Sequence, residues 1–139
     1  MKYLQIKKED SIATVSINRP NAMNALSIEV LKEFCTLQEY FRKDLDTRVV
    51  IFTGEGDHFS AGADLKEKPQ LSTKLESWRN NFGKRAIKSI LDIDQITIAA
   101  VNGYCLGGAA CIVSACDFRI ASEKAILGLS LIHISEPTR

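Results

Sequence analysis

Two loops of this sequence have residue types that could do chemistry. The first runs from Asp57 to Lys66 and follows the β-branched, apolar run Val49–Thr53, whereas the second, Asn102–Gly108, follows the similar run Ile96–Val101. Loops held by rigid strands often carry binding residues, and small residues let a ligand come close to the backbone. Both loops are therefore candidate binding segments.

The second loop leads directly into a predicted helix that starts at Gly107–Gly108. The first backbone N–H groups of a helix lack partners within the helix, and the helix dipole favours negative charge there. Nucleotides are one class of anionic ligand. However, Gly54-x-Gly56 is followed by Phe59 where a dinucleotide fingerprint needs its third glycine, and Gly103–Gly108 lacks the Lys-Ser/Thr of a phosphate loop. The sequence therefore disfavours nucleotide sites of these two types.

The titratable side chains near the loops favour structural roles. His58 could titrate near neutral pH, but the sequence favours an exposed bystander over a catalyst at this position. The cysteines show no Cys-x-x-Cys spacing and lie in apolar contexts, which argues against a zinc site or disulfides. We expect all four to be buried, small hydrophobic side chains. They are Cys35, Cys105, Cys111 and Cys116.

The composition is that of one ordinary globular domain. The chain has 139 residues, of which 45% are hydrophobic and 25% charged. Its 18 basic and 17 acidic residues nearly cancel, so no overall field favours nucleic acid or an anionic membrane as a partner. No apolar run approaches the roughly 20 residues of a membrane helix, and the N-terminus lacks the layout of a signal peptide. We therefore expect a cytoplasmic protein.

Strands and helices alternate along the sequence and must position the two loops. Period-2 alternation marks a strand at Ile12–Ile17, and a helical apolar face follows Ser27, a suitable N-cap. The predicted order is a strand near Leu4 and Ile6, a strand at Ile12–Ile17, a turn at 18–21, a helix from Ser27 to Lys43–Asp44, a strand at Val49–Thr53, a helix from Leu75 to Ile90 that buries Trp78, a strand at Ile96–Val101, a helix from Gly107 to Cys116 and a strand at 117–121. This alternation predicts an α/β fold.

Four sequence blocks, in this order, resemble the crotonase (enoyl-CoA hydratase/isomerase) superfamily. They are Asn18-Arg19-Pro20 with Asn24-Ala25-Leu26, then residues 59–65 (Phe-Ser-Ala-Gly-Ala-Asp-Leu), then residues 99–108 (Ala-Ala-Val-Asn-Gly-Tyr-Cys-Leu-Gly-Gly), then residues 116–121 (Cys-Asp-Phe-Arg-Ile-Ala). The resemblance implies a ClpP/crotonase-like spiral of ββα turns and an acyl-CoA thioester substrate. CoA would then be part of the substrate, without a separate cofactor or metal, and the full-length protein would be a homotrimer or hexamer.

The resemblance also implies roles for single residues. By motif position, the backbone N–H groups of Ala63 and Gly108 form an oxyanion hole that holds the thioester oxygen while an enolate develops. This role agrees with the small residues around both positions, because preorganised main-chain donors stabilise developing charge. The residues expected along the path of CoA or the acyl chain are Ala61, Asp64, Leu65 and Gly107. The structural alternatives are tight helix packing for Gly107–Gly108 and turn capping for Asp64.

Other residues within the same blocks favour structural roles. Arg19 and Asn24 are expected to be structural loop residues. Arg119 is expected to be solvated or paired at the surface.

The sequence departs from the family at both acid/base positions. Hydratases of this family carry a glutamate three residues after the second oxyanion glycine, where this chain has Cys111, and a second glutamate further on, where this chain has Leu131. A thiol is a poor substitute for a carboxylate at neutral pH. Three hypotheses therefore stay open: an enzyme whose acid/base residue lies beyond residue 128 or whose chemistry does without the first glutamate, a non-catalytic acyl-CoA binder, and an inactive fragment.

The resemblance extends over residues 1–128, which correspond to the N-terminal part of a family domain. Residues 129–139 depart from the family and resemble translated sequencing-adapter DNA, so we expect them to be an artefact; an authentic short C-terminus is the alternative. A spiral that is truncated after its early turns leaves apolar strand faces and edges without partners. We therefore expect this chain to aggregate or to stay partly unfolded.

Overall fold

The computed structural model describes residues 1–64 and 81–129. Within these ranges, strands and helices alternate as predicted for an α/β chain. They are β1 (Leu4–Glu9), β2 (Ile12–Ile17), a short 3-10 helix (Pro20–Ala22), α1 (Ile28–Cys35), α2 (Leu37–Arg42), β3 (Val49–Gly54), α3 (Phe82–Leu91), β4 (Ile96–Val101), β5 (Tyr104–Leu106), α4 (Gly108–Ala115), β6 (Phe118–Ala121) and β7 (Ile126–Gly128).

A five-stranded sheet with the order β1-β2-β3-β4-β6 forms the centre of the described structure. β1 is antiparallel to β2, and β2, β3, β4 and β6 are parallel. β5 and β7 form a separate parallel pair. Because β3 and β4 are parallel neighbours, their carboxyl ends lie at the same edge of the sheet. The two candidate loops therefore start side by side.

The core lies between this sheet and the helices. Phe34 of α1 and Phe52 of β3 are each 1% exposed, and their ring centroids are 6.1 Å apart. α3 packs against α1 and α4 and contributes the buried residues Ala86 and Ile90. Burying a large apolar side chain stabilises a fold by about 1.5–3 kcal/mol. The helices are therefore held on the sheet mainly by the apolar stripes that the sequence shows.

The single helix predicted from Ser27 to Lys43–Asp44 is wrong, because the structure has two helices there. Ser27 is the N-cap as expected, since its side chain accepts a hydrogen bond from the N–H of Val30 at 3.2 Å. The break falls at Thr36, whose hydroxyl donates to the carbonyl of Glu33 at 2.7 Å. A Thr hydroxyl that bonds a carbonyl of the preceding turn competes with the helical hydrogen bonds, and apolar periodicity alone does not reveal this.

Two short strands were not predicted. β5 lies within the segment that we interpreted as a loop before the helix predicted from Gly107, and β7 lies after the last predicted strand. Each has three residues, which is too short for a period-2 pattern to stand out. The helix predicted from Leu75 to Ile90 is present as α3 in its described part, and Trp78 lies outside the described residues.

Strand β6 forms one outer edge of the described sheet. Phe118 and Ile120 on this strand are 61% and 66% exposed. An exposed, apolar edge strand presents unpaired backbone groups to other chains and favours association. The expectation that the chain has uncovered apolar edges is thus confirmed for its described residues.

We predict that Ile120→Lys lowers self-association of the chain, because charge on an edge strand opposes pairing between sheets. Since Ile120 is exposed, the free energy of unfolding should change by less than about 0.5 kcal/mol. Light scattering at matched concentrations measures the association. Leu45→Lys is the control, because Leu45 is 92% exposed but lies between α2 and β3 and not on β6. Equal effects of the two variants would contradict the role of β6.

We also predict that Gly62→Ala destabilises the chain by roughly 2 kcal/mol or more. Gly62 has φ +92°, and a Cβ atom there would lie 2.6 Å from the carbonyl oxygen of Leu106. Gly83→Ala is the control, because a Cβ atom at that helical residue meets nothing closer than 3.5 Å; Ala there should be neutral or stabilise by up to about 1 kcal/mol. Denaturant unfolding measures the free energy of unfolding of both variants and of the parent chain. If the Gly62→Ala chain is as stable as the parent, the close contact at Gly62 does not constrain the fold.

Candidate active site

Backbone hydrogen bonds join the loop after β3 to the chain after β4. Ser60 donates to the carbonyl of Tyr104 at 2.9 Å and accepts from the N–H of Leu106 at 3.1 Å, while the N–H of Phe59 donates to Asn102 at 2.6 Å. Ser60 and Cys105 form a parallel bridge. The two loops that the sequence singled out therefore lie against each other.

The buried side chain of Asn24 connects the 18–26 segment to the first loop. Asn24 is 1% exposed. Its amide nitrogen donates to the carbonyls of Glu55 and His58 at 2.9 and 2.7 Å, and its oxygen accepts from the N–H of Arg19 at 2.8 Å. The N–H of Leu26 then donates to the carbonyl of Gly62 at 2.7 Å. The structural roles predicted for Arg19 and Asn24 are confirmed.

Ala63 has a backbone N–H without an acceptor among the described residues, although the neighbouring N–H groups are bonded. The N–H of Ala61 donates to Met23 at 3.0 Å and that of Asp64 to Leu26 at 3.4 Å. The N–H of Gly62 donates to the hydroxyl of Ser60 at 3.0 Å. The loop is thus fixed on both sides of Ala63, whose own N–H is left available to a ligand.

Gly108 is the first residue of α4, and its N–H likewise has no acceptor in the described part of the chain. The preceding Gly107 has φ +58° and ψ −123°, a conformation that only glycine adopts without strain. The N–H of Gly107 donates to the carbonyl of Gly128 at 2.7 Å. These features turn the chain sharply into the helix and leave the N–H of Gly108 open, whereas the N–H of Ala110 donates to the carbonyl of Gly107 at 3.0 Å.

A cavity of about 410 Å³ connects the two available N–H groups, since Ala63 and Gly108 both line it. The cavity wall is mostly apolar, and Lys84 and Cys111 are its polar side chains. No carboxylate lies among its described lining residues. They are Leu26, Leu31, Ala63, Gly83, Lys84, Ile87, Gly108, Cys111 and Ile112. The arrangement can receive an apolar group that carries a hydrogen-bond acceptor.

Of the residues predicted along the path of CoA, Ala61, Asp64 and Gly107 lie in the described part of the chain, and none of these three lines the cavity. Ala61 and Gly107 use their N–H groups within the fold, as described above. The carboxylate of Asp64 lies 3.3 Å from the guanidinium of Arg19, which also donates to the carbonyl of Ala25 at 2.8 Å. Leu65 lies outside the described residues. Contact of these four residues with CoA stays a prediction.

His58 is half-buried, so its predicted place as an exposed bystander is wrong. Its ring stacks on Tyr104 with centroids 4.6 Å apart, and its Nδ1 accepts a hydrogen bond from the N–H of Tyr104 at 3.0 Å. That bond requires Nδ1 to be unprotonated. His58 therefore joins the first loop to the start of β5, a role that no local sequence pattern indicates.

The cysteines differ more than the sequence predicts. Cys105 and Cys116 are buried as expected, and burial raises their thiol pKa values to about 12 and about 11. Burial also raises the pKa of the half-buried Cys35. Cys111 is exposed, so its predicted burial is wrong, because its face of α4 lines the cavity. No group of three potential metal ligands occurs within the described ranges.

Arg119 holds the C-terminal end of α4, which sequence reasoning missed. Its guanidinium donates to the carbonyls of Cys116, Ser114 and Val113 at 2.9, 3.3 and 3.4 Å. A cation at this end of a helix satisfies carbonyl groups and interacts favourably with the dipole. Arg119 thereby helps to fix the helix whose other end carries Gly108.

Among the described helices, none has the length and apolar character needed to cross a membrane.

Comparison with known proteins shows which family the chain resembles. A family profile described as "Enoyl-CoA hydratase/isomerase" matches residues 7–135. The chain is 38% identical to the short-chain-enoyl-CoA hydratase of Clostridium acetobutylicum over 124 residues, which cover 88% of this chain and 48% of that protein. It is 32% identical, over 148 aligned positions, to the peroxisomal Delta(3,5)-Delta(2,4)-dienoyl-CoA isomerase of Arabidopsis thaliana; the alignment covers 97% of this chain and 53% of that protein.

A solved structure of a relative has the same fold as the corresponding part of this chain. The enoyl-CoA hydratase of Bacillus anthracis superposes with a TM-score of 0.84 at 33% identity, covering 96% of this chain and 53% of that one. The chain therefore spans about half the length of the relatives it matches, and the predicted crotonase-like fold is confirmed. Profile, relatives and superposition together show that this chain belongs to the enoyl-CoA hydratase/isomerase family.

Proposed function

We propose that this chain supplies the thioester-binding part of an enzyme that transforms acyl-CoA. The backbone N–H groups of Ala63 and Gly108 hold the thioester oxygen while it takes on enolate charge. The observation that carries this proposal is that both N–H groups lack partners in the described chain and that both residues line one apolar cavity. CoA enters as part of the substrate.

The chemistry follows from where the donors lie. A carbonyl oxygen that gains negative charge strengthens its hydrogen bonds to fixed backbone N–H groups, and the N-terminus of α4 adds a favourable dipole. The apolar side chains of Leu31, Ile87 and Ile112 suit an acyl chain and exclude water, which strengthens these interactions. Loss of one donor from a comparable site costs roughly 3–4 kcal/mol in the transition state.

The group that moves protons is not among the described residues of the cavity wall. Cys111 stands where the family resemblance places a glutamate, and no carboxylate lines the cavity. A hydratase and an isomerase both occur among the relatives, and an enolate serves both reactions. We therefore assign the shared enolate step to this chain and place the acid/base residue elsewhere in the full-length protein.

A non-catalytic acyl-CoA binder is the second candidate, and the thiol at Cys111 favours it. A binder needs the donors of the cavity but no proton-transfer group. Hydration of crotonyl-CoA, or double-bond migration in any enoyl-CoA, by the full-length protein would exclude it. For the full-length protein, we further propose a homotrimer or hexamer that is located in the cytoplasm.

We predict that Gly108→Pro weakens binding of butyryl-CoA about fivefold, the loss of one hydrogen bond worth about 1 kcal/mol. Proline replaces the N–H hydrogen of residue 108 by a ring carbon, and it is well tolerated at the first position of a helix. Gly108→Ala is the matched control, because it keeps the N–H and its Cβ atom would lie 3.5 Å from Leu26, an ordinary contact. Isothermal titration calorimetry gives the affinities.

The thioether S-butyl-CoA tests whether the loss of affinity depends on the carbonyl oxygen, because this ligand lacks that oxygen. Gly108→Pro and Gly108→Ala should bind this ligand equally. If Gly108→Pro weakens thioether and thioester binding by the same factor, the N–H of Gly108 does not hold the carbonyl oxygen, and the proposed function loses its main support.

A further inference from the structure

Cys111 is the reactive side chain that the proposed function leaves unused. It lies three residues after Gly108 on α4, and residues with this spacing are neighbours on the same face of a helix. It is exposed and lines the cavity together with Ala63 and Gly108. The thiol and both available N–H groups therefore open on the same space, where the proposed function places the acyl-CoA thioester.

The other three cysteines do not share this position. Cys105 and Cys116 are 0% and 5% exposed, and Cys35 is half-buried. None of the three lines the cavity. The burial that raises their thiol pKa values also disfavours the reactive thiolate. Reaction with a ligand in the cavity should therefore be confined to Cys111.

We propose that Cys111 captures α,β-unsaturated acyl-CoA thioesters covalently, as a thioether at the β-carbon of the acyl group. The inference rests on the proposed function, since it requires the thioester oxygen to be held by the N–H groups of Ala63 and Gly108. Cysteine is intrinsically a strong nucleophile, and hydrogen bonds to the thioester oxygen draw electrons away from the β-carbon. Saturated acyl-CoA has no such electrophilic carbon and is bound without reaction.

The step balances without an oxidant or a further reactant. The sulfur–carbon bond forms as the π bond between the α- and β-carbons breaks, and the electron pair passes to the thioester oxygen as an enolate. The thiol proton ends on the α-carbon. The product is the saturated thioester with sulfur at its β-carbon, and the reverse step releases the enoyl-CoA. The same enolate is thus stabilised as in the proposed function.

Intact-protein mass spectrometry of the 139-residue chain after incubation with crotonyl-CoA tests this inference. The expected result is one added crotonyl-CoA per chain, located on Cys111 by peptide mapping, and no addition from butyryl-CoA. Cys35→Ser should keep the adduct and Cys111→Ser should lose it. Gly108→Pro should slow adduct formation by roughly 100-fold relative to Gly108→Ala, the effect of losing one oxyanion donor.

Butyryl-CoA binding, measured in parallel, separates this inference from the proposed function. If butyryl-CoA binds and responds to Gly108→Pro but crotonyl-CoA leaves no adduct, the capture by Cys111 is wrong and the proposed function stands. An adduct on Cys35, Cys105 or Cys116 likewise overturns the inference. If neither ligand binds or reacts, the proposed function and the inference both fail.

Discussion

The hydrogen bonds between the loop after β3 and the chain after β4 are the interactions on which the site depends. They form because β3 and β4 are parallel neighbours that end at one edge of the sheet. Ser60 bonds to Tyr104 and Leu106 on one side, and Gly62 bonds to Leu26 on the other. The N–H groups of Ala61, Gly62 and Asp64 are also bonded, and the N–H of Ala63 has no acceptor among the described residues. Hydrogen bonds of the neighbouring backbone groups therefore fix the loop, and one donor stays available to a ligand.

Much of the fold follows from apolar periodicity. The strands at Ile12–Ile17 and Ile96–Val101 were predicted at the bounds that the structure gives them, because long alternating or β-branched runs leave few other ways to bury their side chains. The break at Thr36 and the three-residue strands β5 and β7 could not be predicted. They depend on a side-chain hydrogen bond and on pairing between distant segments, which leave no local periodic signal.

In the candidate site, too, some residues could be predicted from the sequence and others could not. Ala63 and Gly108 could be singled out because four sequence blocks resemble one family, and the small residues around both positions agree with the role that the resemblance implies. The exposure of Cys111, the stacking of His58 on Tyr104 and the capping of α4 by Arg119 depend on how helices and loops pack. A sequence identifies the residue type at each of these positions but not the environment that gives the residue its role.

The central claim is that two backbone N–H groups hold a thioester oxygen in an apolar cavity. The most direct measurement is the infrared carbonyl stretch of butyryl-CoA labelled with ¹³C at the thioester carbonyl, free and bound to this chain. Hydrogen bonds from two fixed donors polarise the carbonyl, so the account predicts that the stretch moves to lower frequency on binding and that Gly108→Pro reverses part of the change. A bound thioester whose carbonyl frequency equals that of the free ligand would contradict the claim.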